Sequence, residues 1–177
     1  AGKTIRVSGA VTPSNDAVIG ALRQLVAYTQ LEDGQSQSFR TRAYEKAIDA
    51  IATRSEPVAG LSVAELKEIE GIGDSTARKI IEFCEHGSIG KVERLRERFP
   101  PTMLELMRIP GLGPKTVLAL QDRLGVVDVA GLQEAIAASG AAGLDANARE
   151  VERLQAHLTR PGPPARYPLL ARQARAA

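Results

Sequence analysis

Ile69-Glu70-Gly71-Ile72-Gly73 and Ile109-Pro110-Gly111-Leu112-Gly113 are one short phrase written twice, 40 residues apart, and each opens an amphipathic helix. Glycine tolerates the left-handed backbone that a tight turn needs and lets chain approach chain closely. The first amides of the helix that follows have no partner within that helix. They sit at the positive end of the helix dipole, which suits a phosphate. Two such turns in tandem point to a protein that follows a nucleic-acid backbone rather than one that holds a single small ligand.

The surrounding chain reads as all-α. It has 177 residues, only 3% aromatic and no Trp, so its core must come from Ala, Leu, Ile and Val. These residues recur at helical spacing, with few alternating β-branched runs. Ser14 or Asn15 caps a first helix to about Leu31, with Val18, Leu22 and Val26 on one side and Glu32-Asp33-Gly34 at its end. Ser36 or Ser38 starts a second helix to about Arg54, with Tyr44, Ala47, Ile48 and Ile51 as its stripe. A short helix over Val63–Glu70 enters the first hairpin, and Ala77, Ile80, Ile81 and Cys84 form the stripe of the helix that leaves it, stopped by Gly87. Further helices are expected over Lys91–Arg98, Thr102–Ile109, Pro114 to Gly125, Val129–Ala138 and Asp145–Leu158. Pro161-Gly162-Pro163-Pro164 begins a tail expected to be disordered.

Composition narrows the function. Net charge is only +2, so nucleic-acid binding would be local rather than driven by a broad positive field. Arg40, Arg42 and Lys46 make one basic face, Arg78, Lys79 and Lys91 surround the first hairpin, and Arg160, Arg166, Arg172 and Arg175 lie in the tail. No stretch is long and apolar enough to span a membrane and no signal peptide is visible, so a cytoplasmic protein is expected. A single cysteine, Cys84, excludes an internal disulfide or a cysteine zinc site. Gly2-Lys3-Thr4 lacks the upstream glycine of a nucleotide-binding loop.

The run Arg42-Ala43-Tyr44-Glu45-Lys46-Ala47, the first hairpin, Lys79-Ile80-Ile81-Glu82-Phe83, Gly87 and Lys91 resembles the amino-terminal part of family X DNA polymerases. Arg108-Ile109-Pro110-Gly111-Leu112-Gly113-Pro114-Lys115 is similar to that family's second helix-hairpin-helix in its bacterial form. The resemblance runs from about Ser14 to about Ser139. It implies a lyase-type domain over 14–98 and a second helix-hairpin-helix domain over 99–159; by composition, residues 1–13 read as a flexible leader and 160–177 as a Pro/Arg-rich tail.

In that family a lysine after the first hairpin forms a Schiff base with 5′-deoxyribose phosphate. The resemblance gives Lys79 that part, Tyr44 the aromatic place beside it, and Arg40 and Lys91 contact with a 5′-phosphate. Arg78 and Lys91 are the cations expected to lower the Lys79 pKa. Gly71, Gly73, Ser75, Gly111, Gly113 and Lys115 would meet DNA. Main-chain carbonyls of Lys67, Ile69 and Ile72, and of Met107, Ile109 and Leu112, would hold K+ or Na+; no other cofactor is implied.

Two features depart from the family pattern: Ser75 replaces a basic residue, and Asp74 places a negative charge in the hairpin. The ordinary structural readings stand beside these roles, with Lys79 as a solvated lysine paired with Glu82 or Phe83 and Tyr44 as a core aromatic with its hydroxyl at the surface. Lys115, by contrast, is a cation at a helix start, where it opposes the dipole unless an anion is bound.

No two Asp residues lie two apart and only His86 and His157 occur, so polymerase and nuclease activities are not expected from this chain. A third hairpin near Gly143-Leu144-Asp145 lacks its second glycine and is degenerate or absent. Three functions stay open: sequence-independent DNA binding at gaps, nicks or ends, with a place in DNA repair; an abasic-site lyase using Lys79; or a helical adaptor whose tail or Ala-rich C-terminal helices bind a protein.

Overall fold

A computed structural model describes residues 12–139. They form helices α1 (Asn15–Asp33), α2 (Phe39–Ala52), α3 (Val63–Lys67), α4 (Asp74–His86), α5 (Gly90–Arg98), α6 (Pro101–Leu106), α7 (Pro114–Leu124) and α8 (Val129–Ser139), with no strand among the described residues. The expected helix over Asp145–Leu158, the basic tail and nearly all of the leader lie outside them.

Serine starts the first three helices. Ser14, Ser38 and Ser62 accept from the backbone amides of Ala17, Thr41 and Glu65, and the last two complete reciprocal capping boxes. α1 ends at Gly34 (φ 65°), whose amide and that of Gln35 return to the carbonyls of Leu31 and Gln30. This αL stop reverses the chain, so α2 packs along α1. Asn15 ties the loop after α2 back to α1: its amide donates to the Arg54 and Glu56 carbonyls, and its side-chain oxygen accepts from Val58 N–H.

α1 is the shared wall of the molecule. Val18, Leu22, Leu25 and Leu31 on α1 have no exposed surface, and α2, α4, α5 and α7 all pack against this helix. A four-residue spacing drifts around a 3.6-residue helix, so Leu25 joins the fully buried positions and Val26 is only partly buried. The expected stripe of α2 is buried throughout, Tyr44 included. On α4, Ala77 and Ile80 are buried while Ile81 and Cys84 are partly so.

Both hairpin-entry helices are shorter than their periodicity suggests. α3 ends at Lys67 rather than Glu70, and α6 covers Pro101–Leu106 rather than Thr102–Ile109. In each case three-residue bonds tighten the chain early: Glu68 and Ile69 donate to Glu65 and Leu66, and Arg108 and Ile109 to Glu105 and Leu106. α5 begins one residue early, at Gly90, because the Glu82 carboxylate accepts its amide at 2.8 Å.

Gly71 shows how tightly the first hairpin is seated. Its φ is 97°, and a Cβ there would stand 3.0 Å from the Lys46 carbonyl oxygen on α2. Gly73 has φ −89° and open space. Gly71→Ala should therefore cost about 1–3 kcal/mol in stability. Gly73→Ala should cost much less, a contrast that urea denaturation of the two variants measures.

Candidate nucleic-acid interface

The two hairpins repeat the same backbone geometry at the 40-residue offset. Gly71 and Gly111 have φ of 97° and 92°. Ile72 N–H donates to the Ile69 carbonyl, and Leu112 N–H to the Ile109 carbonyl, each at 3.0 Å. Ile72 and Leu112 plug the turns from inside and are buried, and Leu66 and Leu106 have no exposed surface. Gly73 and Gly113 are extended N-caps, at ψ 170° and 171°. No side chain caps α4 or α7, in contrast to the serine starts of α1, α2 and α3. Their first amides are thus left for solvent or a bound anion.

The hairpins differ in what charge already occupies them. Asp74 is the first residue of α4, and its carboxylate pairs with Arg78 Nε at 2.8 Å and Lys67 Nζ at 3.5 Å. The hydrogen bond from Arg78, with the nearby positive charge, holds the Asp74 carboxyl below its ordinary pKa. Pro114 takes the matching place on α7 and brings no acid. Lys115 follows it, exposed, and makes no ion pair among the described residues.

A second cluster stands where α1 ends, α2 begins and α5 begins. Glu32 meets Lys91 Nζ at 2.8 Å and Arg40 at 3.2 Å, while Arg40 also pairs with Asp33. Burial raises the Asp33 pKa, but hydrogen bonds with Ser38 and Arg40 and the charge of Lys91 outweigh it and hold the group low. The Glu82–Gly90 bond fixes the start of α5 and so places Lys91, the next residue. The fold thus brings Arg40 and Lys91 together, as expected, but ties both to carboxylates that the sequence pattern did not flag. Two acids in the last turn of a helix oppose its dipole, and that was the available signal.

Tyr44 lies within the field of the same charges. Burial and the two carboxylates raise its pKa, against a lowering effect of Arg40. Lys79 Nζ stands 5.9 Å from the centre of the Tyr44 ring and donates to Ser75 Oγ at 3.1 Å. Burial is the main cause of a lowered Lys79 pKa, followed by Lys91; Glu82 opposes the shift and Arg94 adds to it. Arg78 takes no part, contrary to expectation, because it is held on Asp74 one helical turn back. Neither Glu82 nor Phe83 is the hydrogen-bond partner of Lys79; Ser75 is. Phe39, unmarked in the sequence, is 83% exposed beside Arg40.

The outer carbonyls of each hairpin are hard backbone oxygens, and those of Ile69 and Ile109 each spend one lone pair on the turn itself. Such oxygens suit an alkali cation. No group of three or more His, Cys, Asp or Glu side chains among the described residues could hold a metal ion, and no described helix is long and apolar enough to cross a membrane.

A lowered Lys79 pKa means that its neutral amine appears at lower pH than that of a free lysine, and its reaction with aldehydes should begin correspondingly earlier. NMR titration of 13C-methylated lysines should show Lys79 losing its proton at a lower pH than a free lysine does. Lys91→Gln should move that titration upward. A Lys79 signal that titrates as a free lysine does would contradict the assignment of its environment.

Comparisons with known proteins agree with this geometry. Residues 13–89 match the family model of the helix-hairpin-helix domain. Residues 103–156 match that of the SAM-like helix-hairpin-helix tandem, a span that takes in Gly143-Leu144-Asp145. The DNA polymerase/3′-5′ exonuclease PolX of Bacillus subtilis (strain 168) is 28% identical over 118 residues, or 67% of this chain. The aligned part is 20% of that relative's length, so the chain corresponds to about a fifth of it. The two modules described above are a helix-hairpin-helix region of the PolX type.

Proposed function

We propose that the chain binds DNA without reading sequence, at gaps, nicks or ends, as part of DNA repair. The observation that carries this reading is the pair of hairpins with matching turn bonds, each leading into an uncapped helix start, in a region of the PolX type. Backbone amides and a nearby cation neutralise phosphate and leave the bases unread. The second hairpin is the stronger clamp, because Gly111, Gly113 and Lys115 offer amides and a cation with no resident acid. Gly71, Gly73 and Ser75 make the weaker one, beside Asp74. K+ or Na+ on the carbonyls of Lys67, Ile69 and Ile72, and of Met107, Ile109 and Leu112, would screen two negative strands from the turns. Phe39, flat, apolar and exposed next to Arg40, suits stacking on an unpaired base at a break.

Lys115→Glu should weaken binding to gapped duplex by roughly tenfold at low salt and flatten the dependence of affinity on salt. Fluorescence anisotropy across a salt series measures both. An affinity indifferent to salt and to this substitution would favour a helical adaptor that binds a protein through the C-terminal tail.

One observation supports a second activity. Lys79 is the lysine whose pKa is pushed down, over the Tyr44 ring and near the cations Lys91 and Arg94. A neutral Lys79 amine would add to the C1′ aldehyde of 5′-deoxyribose phosphate and lose water to form an imine. Removal of the C2′ proton would then expel the 3′-phosphate. Borohydride should trap a covalent adduct on such DNA, and Lys79→Ala should abolish it; an adduct that survives Lys79→Ala, or none at all, removes the lyase reading.

A further inference from the structure

α5 has no cap of its own. Its N-cap residue, Ile89, is aliphatic, and the amide of Gly90 donates instead to the Glu82 carboxylate on α4, at 2.8 Å. A carboxylate suits that place, at the positive end of the α5 dipole. Gly90 is not among the glycines at positive φ, so its backbone does not call for glycine. The close approach does: a Cβ there would stand 2.8 Å from Glu82 Oε1 and 3.6 Å from an Arg94 guanidinium nitrogen. Lys79 lies three residues before Glu82, on the same face of α4, and both are half-buried.

We propose that Glu82 is a positioning residue for Lys79: its bond to Gly90 clasps the start of α5 to α4 and so holds Lys91 and Arg94 beside the Lys79 amine. Glu82 then acts on Lys79 in two opposed ways. Its own charge keeps the proton on, whereas the cations that it brings up drive the proton off. After burial, Lys91 is the largest influence lowering the Lys79 pKa; Glu82 opposes it and Arg94 adds to it. The other groups facing Lys79 do not depend on the clasp. Tyr44 comes from α2, and Ser75 lies one turn back on α4. Glu32 of α1 holds the Lys91 ammonium at 2.8 Å, so Lys91 is fixed at its head by α1 and at its backbone by the clasp. For the proton on Lys79 the proposal rests on this geometry; for aldehyde chemistry it rests also on the lyase reading above.

Two substitutions in the full chain take charge and clasp apart. Glu82→Gln removes the charge and keeps an acceptor oxygen for Gly90, so Lys79 should titrate at lower pH than in the wild type. Gly90→Ala, added to Glu82→Gln, pushes that oxygen off the amide and leaves no carboxylate to swing toward Lys79. The titration should then move back up, and exchange of the residue 90 amide with solvent should quicken. NMR of the 13C- and 15N-labelled variants reads both. Glu85→Gln, an equal charge change at an exposed position of α4, should leave Lys79 where it is.

A Lys79 titration that stays where Glu82→Gln put it after Gly90→Ala is added overturns the proposal, because Glu82 would then act by charge alone. A Glu82→Gln variant that does not titrate lower overturns it too, as does a return shift without faster exchange at residue 90, or a Glu85→Gln shift equal to that of Glu82→Gln. The reaction offers a separate readout. Below the Lys79 titration, borohydride trapping should run roughly two- to fivefold faster in Glu82→Gln than in the wild type and slow again when Gly90→Ala is added. Trapping rates that ignore the titration overturn the positioning role in the reaction. No trapping by the wild type removes the lyase reading instead, and the titrations still decide whether the clasp positions the cations.

Discussion

Everything at the interface depends on one backbone constraint, a glycine held at positive φ one residue before an apolar plug. Gly71 and Gly111 turn the chain so that Ile72 and Leu112 can drop into the core and donate back to Ile69 and Ile109. Once that short loop is closed, the next glycine must be extended, and the helix after it starts with bare amides. The anion-binding end is thus a by-product of burying one aliphatic side chain. In the first copy the constraint is reinforced from outside, since the Lys46 carbonyl leaves no room for a Cβ at Gly71.

Two equal frames therefore carry unequal electrostatics. Asp74 supplies the first hairpin with its own anion and draws Lys67 and Arg78 onto it, whereas Pro114 leaves the second one open. The cluster at the end of α1 repeats the theme, with carboxylates already seated on Arg40 and Lys91. The first module is a guarded site and the second an unguarded one.

Local signals made the architecture legible. Glycine and proline punctuation, serine caps and helical stripes are written within a few residues of the structure they specify, so all eight described helices were foreseen and the errors fell at their ends. Those errors share a cause, because three-residue bonds that tighten α3 and α6 are a response to the turn and leave no mark on periodicity. The site was harder. Arg40 and Lys91 could be singled out, but their partners could not, because Glu32 and Asp33 reach them only when α1, α2 and α5 converge. The cations acting on Lys79 illustrate the same limit. Arg78 is adjacent in sequence but turned about 100° away on the helix, onto Asp74, whereas Arg94 arrives from α5.

α1 also settles how the two modules relate as objects. Its buried face receives α2, α4 and α5 on behalf of the first hairpin and α7 on behalf of the second, and Leu118 of α7 lies 3.6 Å from the place of a Cβ at Gly34. One helix is thus the party wall of two rooms. Cutting the chain between them would strip an apolar surface from both, so what looks in sequence like a pair of separable beads is joined by one buried helix face that each needs covered.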